Sequence, residues 1–159
     1  MKGTIQSICI SSSKGTKKKE IDSAEILPDW GIKNDAHAGN WHRQVSFLSI
    51  QSIEKMKMKG FAAHPGDFAE NITVDGIDFS EIAIGDTLII NDTIILEVTQ
   101  IGKECHSSCE IRIITGDCIM PREGIFARVL RGGTICIGNE VLIRKKEQLI
   151  DSRIIIGNN

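Results

Sequence analysis

The sequence predicts a mainly β protein, a single domain folded as a closed or folded-over barrel with two or so short helices. Three observations lead to this fold class. The chain has 159 residues, the length of one domain with one core. Only 4% of the residues are aromatic and isoleucine is abundant, so the core is aliphatic and β-branched, which favours strands. Many short apolar runs alternate with turn residues, and no repeat or linker divides the chain.

The first part of the chain holds short strand patterns on either side of a long loop. Residues 4–11 alternate in polarity and predict a strand. Residues 20–27 predict a second strand, and the basic stretch at residues 12–20 is interpreted as a solvated hairpin tip. The polar, glycine-rich segment at residues 28–44 fits no regular element. A third short strand is predicted at residues 45–50, directly after this loop.

The clearest helix pattern lies at residues 49–60. Ser49 suits the N-cap of a helix, because its hydroxyl can accept a hydrogen bond from a free backbone N–H. Ile53 and Met56 recur at helical spacing, and Gly60 suits the C-terminal stop. The pattern therefore predicts a helix with one apolar face.

The remaining elements are predicted from turns and spacing. Two β-branched runs around an Asn-Asp turn predict a hairpin at residues 87–100. A proline followed by apolar pairs four residues apart predicts a short helix at residues 121–130. A second hairpin is predicted at residues 134–144, around a Gly-Asn turn. We assign residues 1–145 to the domain and residues 146–159 to a C-terminal tail that adds an edge strand or a partner contact.

Composition and charge exclude several classes of protein. The formal net charge is -2, so no strong positive field favours nucleic acid. No apolar run reaches the length needed to span a membrane. The first residues lack the apolar stretch of a secretory signal, so we expect a cytoplasmic protein whose thiols stay reduced. Five cysteines are also an odd number for a disulfide framework.

The loop at residues 28–44 concentrates groups that bind anions. Its glycines let backbone N–H groups approach a ligand closely. An arginine offers a fork that matches phosphate or carboxylate, and a histidine can donate or accept near neutral pH. The polar residues in question are Asp35, His37, His42 and Arg43. One interpretation is an anion-binding loop, and the other is a surface loop in which Asp35 and Arg43 only satisfy backbone groups.

The five cysteines fall into two groups. Cys9 and Cys136 lie in alternating strand patterns, so we predict that both are buried and act as small hydrophobic residues. Cys105, Cys109 and Cys118 share one polar stretch with several cations. Nearby cations stabilise a thiolate, which can act as nucleophile, carry sulfur or bind a soft metal.

Two other chemistries fit the clustered thiols. Together with one histidine, Cys105, Cys109 and Cys118 would supply the four ligands of a zinc site, although their spacing is not a tight two-knuckle pattern. A redox disulfide between Cys105 and Cys109 is the second alternative, and it lacks the Cys-x-x-Cys spacing. These residues alone therefore leave a working thiol, a metal site and a redox pair open.

Three stretches resemble the signature blocks of a known family. GIKNDAHAGNWHRQVSFLS, HPGDFAENITVDGIDFSEIAIGDTLIIND and LEVTQIGKEC are similar, in that order, to the blocks of the MOSC domain. This domain is named for the C-terminal part of molybdenum-cofactor sulfurase, and the resemblance covers roughly residues 1–145. Two departures stand out. Ala69 replaces the glycine that usually precedes the Glu-Asn pair, and Ile101-Gly102 stands where many members carry a proline and a basic residue.

The resemblance implies a fold and a set of site residues. It implies a β-barrel similar to that of the pyruvate kinase β-barrel domain. Cys105 is the position that carries sulfur or ligates molybdenum in the family, and Cys109 and Cys118 are expected to assist it. We add Arg122, a cation that lies near the three thiols in the sequence, to the residues expected to bind the cofactor. The cofactor-binding set expected for an anionic pterin is His37, Gly39, Arg43, Glu70, Asn71 and Arg122.

The resemblance also implies a choice of functions. The first is a sulfur carrier for the molybdenum cofactor, with Cys105 loaded as a persulfide. The alternatives are a molybdenum-dependent reductase of N-hydroxylated compounds, with Cys105 as metal ligand, and a non-catalytic cofactor-binding module. The expected partners are a pyridoxal-phosphate cysteine desulfurase, molybdoenzymes or cofactor-biosynthesis proteins. We expect a monomer or a weak homo-oligomer, and no contact with membrane or nucleic acid.

Overall fold

The computed structural model describes residues 1–105 and 109–147. Within these residues the chain forms eleven strands, three short helices and one 3-10 turn at Phe79–Glu81. The strands are β1 (Lys2–Ile10), β2 (Lys19–Ile21), β3 (Ser23–Leu27), β4 (Gly31–Ile32), β5 (Val45–Ser49), β6 (Ile72–Asp75), β7 (Thr87–Ile90), β8 (Ile94–Ile101), β9 (Ile125–Arg131), β10 (Gly133–Cys136) and β11 (Glu140–Arg144). The helices are α1 (Ile50–Met58), α2 (Glu110–Thr115) and α3 (Met120–Glu123). Residues 148–159 of the predicted tail lie outside the described part of the chain.

Seven strands close into a barrel, which confirms the predicted fold class. Their order is β11-β7-β8-β9-β5-β6-β1, and β1 returns to pair with β11. The pair β5 and β6 is parallel, and the other pairs around the barrel are antiparallel. The long strand β1 makes the closure, because it pairs in turn with β11, β6 and β2. Closure leaves these seven strands without a free edge.

A small second sheet, β10-β3-β4, corrects two of the sequence predictions. The predicted hairpin at residues 134–144 is wrong, because β10 pairs with β3 while β11 pairs with β1 and β7. The turn between them does form, but its backbone bonds to Ile5 in β1 and directs the two strands to different sheets. The predicted strand at residues 20–27 is divided for the same reason, since β2 pairs with β1 and β3 with β10.

The predicted helix at residues 121–130 is also wrong. Only its first turn forms, as α3, and the chain then becomes extended at Gly124 and continues as β9. The apolar residues four apart that suggested a helix also fit the two-residue period of a strand. Ile125, Ala127 and Val129 all point into the core, while β9 pairs with β5 and β8. The helix α2, by contrast, forms at residues for which no helix is predicted from the sequence.

The elements with strong local signals form as predicted. In α1, the Ser49 hydroxyl accepts a hydrogen bond from the backbone N–H of Ser52, as expected for an N-cap. The hairpin of β7 and β8 turns at Asn91 and Asp92, whose φ angles are 49° and 59°. Asparagine and aspartate tolerate this left-handed conformation better than other residues with a side chain.

The buried apolar residues form two clusters, and the second one supports the site described below. The first fills the barrel with mostly β-branched side chains from its strands. The second lies where α1, α2 and α3 pack against the outside of β5 and β9. It includes Leu48, Met56, Phe68, Phe126 and Cys118. No helix among the described residues is long and apolar enough to cross a membrane.

Candidate functional site

A cavity of about 360 Å³ opens beside the second cluster and collects most of the predicted site residues. It lies between the loop that follows β1, the loop before β5, and the segment from the end of β8 to α3. Cys105, Cys109, Cys118, His37, Arg43 and Asn71 line it, together with Lys17, Trp41, Lys103 and Phe126. A larger cavity of about 720 Å³ lies near the N-terminus of α1 and contains none of these thiols.

The three clustered cysteines contribute thiols at different depths. Cys105, just past the end of β8, is exposed, Cys109 is half-buried, and Cys118 is buried. Burial raises the pKa of the Cys118 thiol, so it stays protonated at neutral pH. The cavity therefore combines one accessible thiol with one thiol held within its apolar wall.

The other two cysteines lie away from the cavity, and one of them corrects a prediction. Cys9 is buried in β1, and burial, followed by the charges of Glu70 and Glu20, raises the pKa of its thiol to about 12. Cys136 is exposed, contrary to the prediction that it is buried. The cause is the pairing of β10 with β3, which turns Ile135 inward and the residues on either side of it outward.

Arg43 lines the cavity and packs against two aromatic rings. Its guanidinium carbon lies 4.6 Å from the centroid of Trp41 and 5.7 Å from that of Phe126. Its Nε atom is buried and has no hydrogen-bond partner among the described residues. A buried N–H without a partner is uncommon, and a guanidinium beside a cavity can supply donors to an anion.

His37 is held in place by a buried ion pair that the sequence did not predict. Lys18 and Asp35 have side-chain exposures of 1% and 0%, and their Nζ and Oδ1 atoms are 2.6 Å apart. Lys18 Nζ also lies 3.1 Å from His37 Nδ1. The interpretation of residues 12–20 as a solvated tip is therefore wrong for Lys18. Asp35 also accepts hydrogen bonds from the backbone N–H groups of Ser11 and His37, in agreement with the interpretation that its carboxylate satisfies backbone groups.

Glu70 and Asn71 stabilise the backbone next to the cavity through buried hydrogen bonds. Glu70 is fully buried and accepts hydrogen bonds from the backbone N–H groups of Gly66 (2.6 Å) and Phe68 (3.1 Å). Asn71 links two barrel strands, because its side chain donates to the Cys9 carbonyl and accepts from the Ser46 N–H. Of the two, Asn71 lines the cavity and Glu70 does not.

Ala69 stands at the position where the resemblance leads one to expect glycine. Its φ angle is +61°, in the left-handed region that favours glycine. The turn is closed by a hydrogen bond from its backbone N–H to the Gly66 carbonyl. The departure from the family pattern therefore retains the backbone conformation, with the strain that a side chain adds to it.

Glu70 makes stability depend on pH. Burial raises its pKa from 4.5 to about 7, although the backbone hydrogen bonds act in the opposite direction. Because the folded protein holds this proton more tightly, its contribution to stability is complete below about pH 4.5 and is lost as the pH rises through 7. We expect the unfolding free energy to fall between pH 5 and pH 8 by roughly 2 kcal/mol more in the wild type than in Glu70→Gln.

Urea unfolding of both proteins at pH 5 and pH 8 measures this difference. Glu140→Gln is the matched control, since Glu140 is an exposed partner of Lys2 and should leave the pH dependence as in the wild type. Equal pH dependence in the wild type and Glu70→Gln would contradict the assignment.

Besides Glu70, two further members of the expected cofactor-binding set, Arg122 and Gly39, do not line the cavity. Arg122 is exposed, and its two terminal nitrogens bind the Asp117 carboxylate at 2.9 and 2.8 Å. This pairing, with Lys59 nearby, lowers the pKa of Asp117 well below its usual range. Gly39 bonds through its backbone N–H to the Trp30 carbonyl and shapes the loop. His42, also in this loop, is exposed and bonds to Gln100.

The rim of the cavity is basic but partly neutralised. Lys17 Nζ lies 3.6 Å from Asp67 Oδ1 and 3.5 Å from Glu110 Oε2, so its charge is shared with two carboxylates. Lys103 and Arg43 form no ion pair with a carboxylate among the described residues. The unshared positive charge of the cavity is therefore carried by Lys103 and Arg43.

The residues present suit an anionic cofactor with a soft centre. Arg43 and Lys103 match phosphate-type oxygens, and Trp41 and Phe126 offer apolar faces to a ring. A thiolate at Cys105 is a ligand for soft metals. Within residues 1–105 and 109–147, no three histidine, cysteine or acidic side chains are grouped so that they could hold a metal ion. His106, the histidine next to Cys105, lies outside this part.

Two elements of the site are not evident from the amino-acid sequence. Lys18 is one of several adjacent lysines, and nothing in its neighbours marks it as buried. The pattern around Phe126 predicts a helix, so its position in the cavity wall beside Arg43 is not evident from the sequence. Both positions depend on how distant segments pack together, which local sequence patterns do not encode.

Comparison with known proteins identifies the family. No curated protein matches significantly. Among solved structures, the YuaD protein from Bacillus subtilis is similar with a TM-score of 0.76 at 20% identity, over 90% of this chain and 96% of that one. YiiM from Geobacillus stearothermophilus is similar with a TM-score of 0.64 at 17% identity, over 89% of this chain and 75% of that one. YiiM from Escherichia coli has a TM-score of 0.60 at 14% identity, over 91% of this chain and 70% of that one. These likenesses concern the fold. The family model described as "MOSC domain" matches residues 34–142, more than half of the chain, and the chain therefore belongs to the MOSC domain family.

Proposed function

We propose that this protein is a sulfur carrier that holds sulfur as a persulfide on Cys105, beside a binding site for the anionic molybdenum cofactor. The observation that supports this most directly is that an exposed thiol and an arginine without an ion-pair partner among the described residues line one cavity. Cys105 is open to a partner protein, and Arg43 Nε lacks a hydrogen-bond partner among the described residues. The association of the MOSC family with the molybdenum cofactor agrees with this assignment.

Sulfur loading on Cys105 is a simple exchange between sulfur atoms. The Cys105 thiolate attacks the outer sulfur of a persulfide on the donor protein. A sulfur–sulfur bond forms on Cys105, the bond in the donor breaks, and the donor cysteine leaves as a thiolate. There is no net oxidation or reduction, because the same sulfur atom passes from one thiol to another. The donor must reach Cys105 directly, which its exposure permits.

The cavity residues supply the binding and orientation for a cofactor. Arg43 and Lys103 would hold the phosphate-type oxygens, and Trp41 and Phe126 would supply apolar contact. When bound, the cofactor would supply a molybdenum centre, which sulfur ligands suit. Cys105 lines the same cavity, so a persulfide on it would lie beside the space that would hold the anion.

The other two thiols of the cavity have supporting roles in this proposal. Cys109 is half-buried, less accessible than Cys105 and more accessible than Cys118. Its thiolate can accept the outer sulfur from Cys105, or attack the inner sulfur to form a Cys105–Cys109 disulfide and release hydrosulfide. Cys118 is buried, and its raised pKa keeps it a thiol, which makes it a poor nucleophile at neutral pH.

The proposal is tested with protein purified under anaerobic conditions. We expect colourless protein that gains about one cyanide-labile sulfur per chain from a pyridoxal-phosphate cysteine desulfurase and cysteine. Mass spectrometry should locate the added sulfur on Cys105. Molybdenum and pterin analysis of the same sample tests the alternatives. One equivalent of molybdenum with visible absorbance, and no labile sulfur, would instead favour a reductase or a storage module.

Replacing Arg43 should weaken anion binding specifically. We expect Arg43→Ala to bind inorganic phosphate about 10- to 100-fold more weakly, because a hydrogen bond to a charged group is lost. Arg43→Lys should recover only part of the affinity, since lysine lacks the guanidinium fork. Isothermal titration calorimetry measures the affinity, and circular dichroism checks the fold.

Arg122→Ala is the matched control for this prediction. Its guanidinium is held by Asp117 outside the cavity, so its loss should leave phosphate affinity unchanged. If Arg43→Ala binds phosphate as well as the wild type does, this loop has a structural role only. A loss in Arg122→Ala equal to that in Arg43→Ala would point to an anion site elsewhere.

A further inference from the structure

The buried contact between Lys18 and His37 determines which nitrogen of the histidine carries a proton. Lys18 has three N–H donors and no acceptor. Each donor has one acceptor within reach: Asp35 Oδ1 at 2.6 Å, Ser11 Oγ at 3.3 Å and His37 Nδ1 at 3.1 Å. The ammonium group is nearly inaccessible to water, so water does not replace any of these three acceptors. The third donor is satisfied only if His37 Nδ1 presents a lone pair.

We propose that Lys18 is a positioning residue that holds His37 as the neutral tautomer with its proton on Nε2, so that the cavity offers a hydrogen-bond donor to an anionic oxygen. An imidazole with its lone pair on Nδ1 carries its remaining proton on Nε2. No hydrogen bond of Nε2 is found among the described residues, and the His37 side chain lines the cavity. Nε2–H is therefore free to donate to a ligand. This inference deepens the proposed function, since it rests on the same anion-binding cavity.

The position of Lys18 is secured independently of His37. Its backbone N–H donates to the Gly66 carbonyl at 3.1 Å, and the Gly66 N–H in turn donates to the buried Glu70. A Cβ atom on Gly66 would lie 2.2 Å from the Lys18 carbonyl oxygen, so the two segments touch at this point. Asp35 is equally fixed by the backbone of Ser11. Lys18 is thus held by the fold and can orient the histidine.

The charges around His37 also favour the neutral form of its imidazole. Burial lowers the pKa of His37, and the charges of Lys18, Lys103 and Lys14 lower it further, against the opposite effect of Asp35. A second proton on the ring would place an N–H opposite the N–H of Lys18. The positive charge of the cavity therefore comes from Arg43 and the lysines, and His37 contributes a neutral donor.

The test measures the tautomer directly in the full-length protein. Histidines are labelled with 15N, and His37 is assigned by the signals that disappear in His37→Gln. At pH 7 we expect a pyridine-type resonance for Nδ1 and a pyrrole-type resonance for Nε2. Addition of inorganic phosphate should shift the Nε2 resonance and leave Nδ1 nearly unchanged. This measurement needs no sulfur donor, so it can fail or succeed independently of persulfide loading.

The role of Lys18 is tested with a charge-neutral double variant. Lys18→Met together with Asp35→Asn removes one positive and one negative charge, which avoids leaving a buried ion unpaired. In this variant we expect loss of the single tautomer and a rise in the pKa of His37. Lys33→Met is the matched control, because Lys33 forms an exposed ion pair with Glu25 and should leave both quantities unchanged.

Three results would overturn the inference, and the first does so even if the double variant does not fold. A pyrrole-type Nδ1 or an averaged pair of resonances in the wild type contradicts the tautomer. Phosphate that leaves the Nε2 resonance unmoved contradicts the donor role. A single unchanged tautomer in the folded double variant shows that Lys18 does not control His37.

Discussion

Cys105→Ser is expected to abolish persulfide loading and to leave the melting temperature within about 2 °C of the wild type. Loading needs a thiolate, and serine has no sulfur to accept the transferred atom. Stability should be retained because Cys105 is exposed and belongs to neither apolar cluster. The measurement is cyanide-labile sulfur after incubation with a cysteine desulfurase, combined with a thermal melt.

Variants of the other cysteines test whether persulfide loading depends on Cys105 itself or on any exposed thiol. Cys136→Ser removes another exposed thiol, one outside the cavity, and should load sulfur as well as the wild type does. Cys109→Ser and Cys118→Ala should reduce loading or shorten its lifetime without abolishing it. Alanine is chosen for Cys118 because a hydroxyl buried in an apolar cluster would itself destabilise the fold.

One outcome would contradict the proposal that the protein is a sulfur carrier. If the wild type holds one equivalent of zinc, and loss of any of the three cavity cysteines removes both zinc and stability, the stretch is a structural metal site. Membership of the MOSC family would then describe the fold, and the function would have to be sought elsewhere.

Gly102→Ala is expected to lower the unfolding free energy by roughly 3 kcal/mol. Gly102 has a φ angle of +73°, and a Cβ atom would lie 2.1 Å from the Pro121 carbonyl oxygen. That distance cannot be accommodated unless the segment after β8 moves away from α3. The same segment is held by a hydrogen bond from the Gly102 N–H to the Gly124 carbonyl at 2.7 Å, and it leads directly to Cys105. Reactivity of Cys105 towards iodoacetamide should change as well.

Gly116→Ala provides a control with the same backbone conformation. Gly116 has a φ angle of +74° at the end of α2, but nothing lies within 4 Å of its added Cβ atom. It should therefore lose only about 1 kcal/mol, from the left-handed conformation alone. Urea unfolding of both variants measures the difference. Equal losses would mean that the close approach to Pro121 does not constrain this segment.

Much of the barrel could be predicted from local patterns. The cap of α1 at Ser49 and the turn at Asn91 and Asp92 are set by residues that are neighbours in the chain, so the sequence alone indicated them. The errors arose where a pattern fitted two periods or where pairing depended on a distant partner. The apolar residues of β9 fit a helix as well as a strand, and β10 pairs with β3, more than a hundred residues earlier in the chain.

Some residues of the candidate site could likewise be recognised from the sequence, whereas the positions of others depend on distant segments. The position of Cys105 after a strand, and that of His37 and Arg43 in the loop at residues 28–44, could be recognised from residue types and from the family resemblance. Arg122 was included because it lies near the thiols in sequence, yet in the structure Asp117 holds it outside the cavity. Lys18 was interpreted as solvated, yet it lies buried between Asp35 and His37.

The sequence by itself determined the β-rich class and the family. These depend on composition, local periodicity and motif order, which are properties of the linear chain. The tertiary structure alone decided that Lys18 is buried, that Arg43 has an unpartnered nitrogen in the cavity wall, and that Cys136 is exposed. Burial and pairing arise when distant segments meet and exclude water, and the free energy of that contact is absent from any single stretch of sequence.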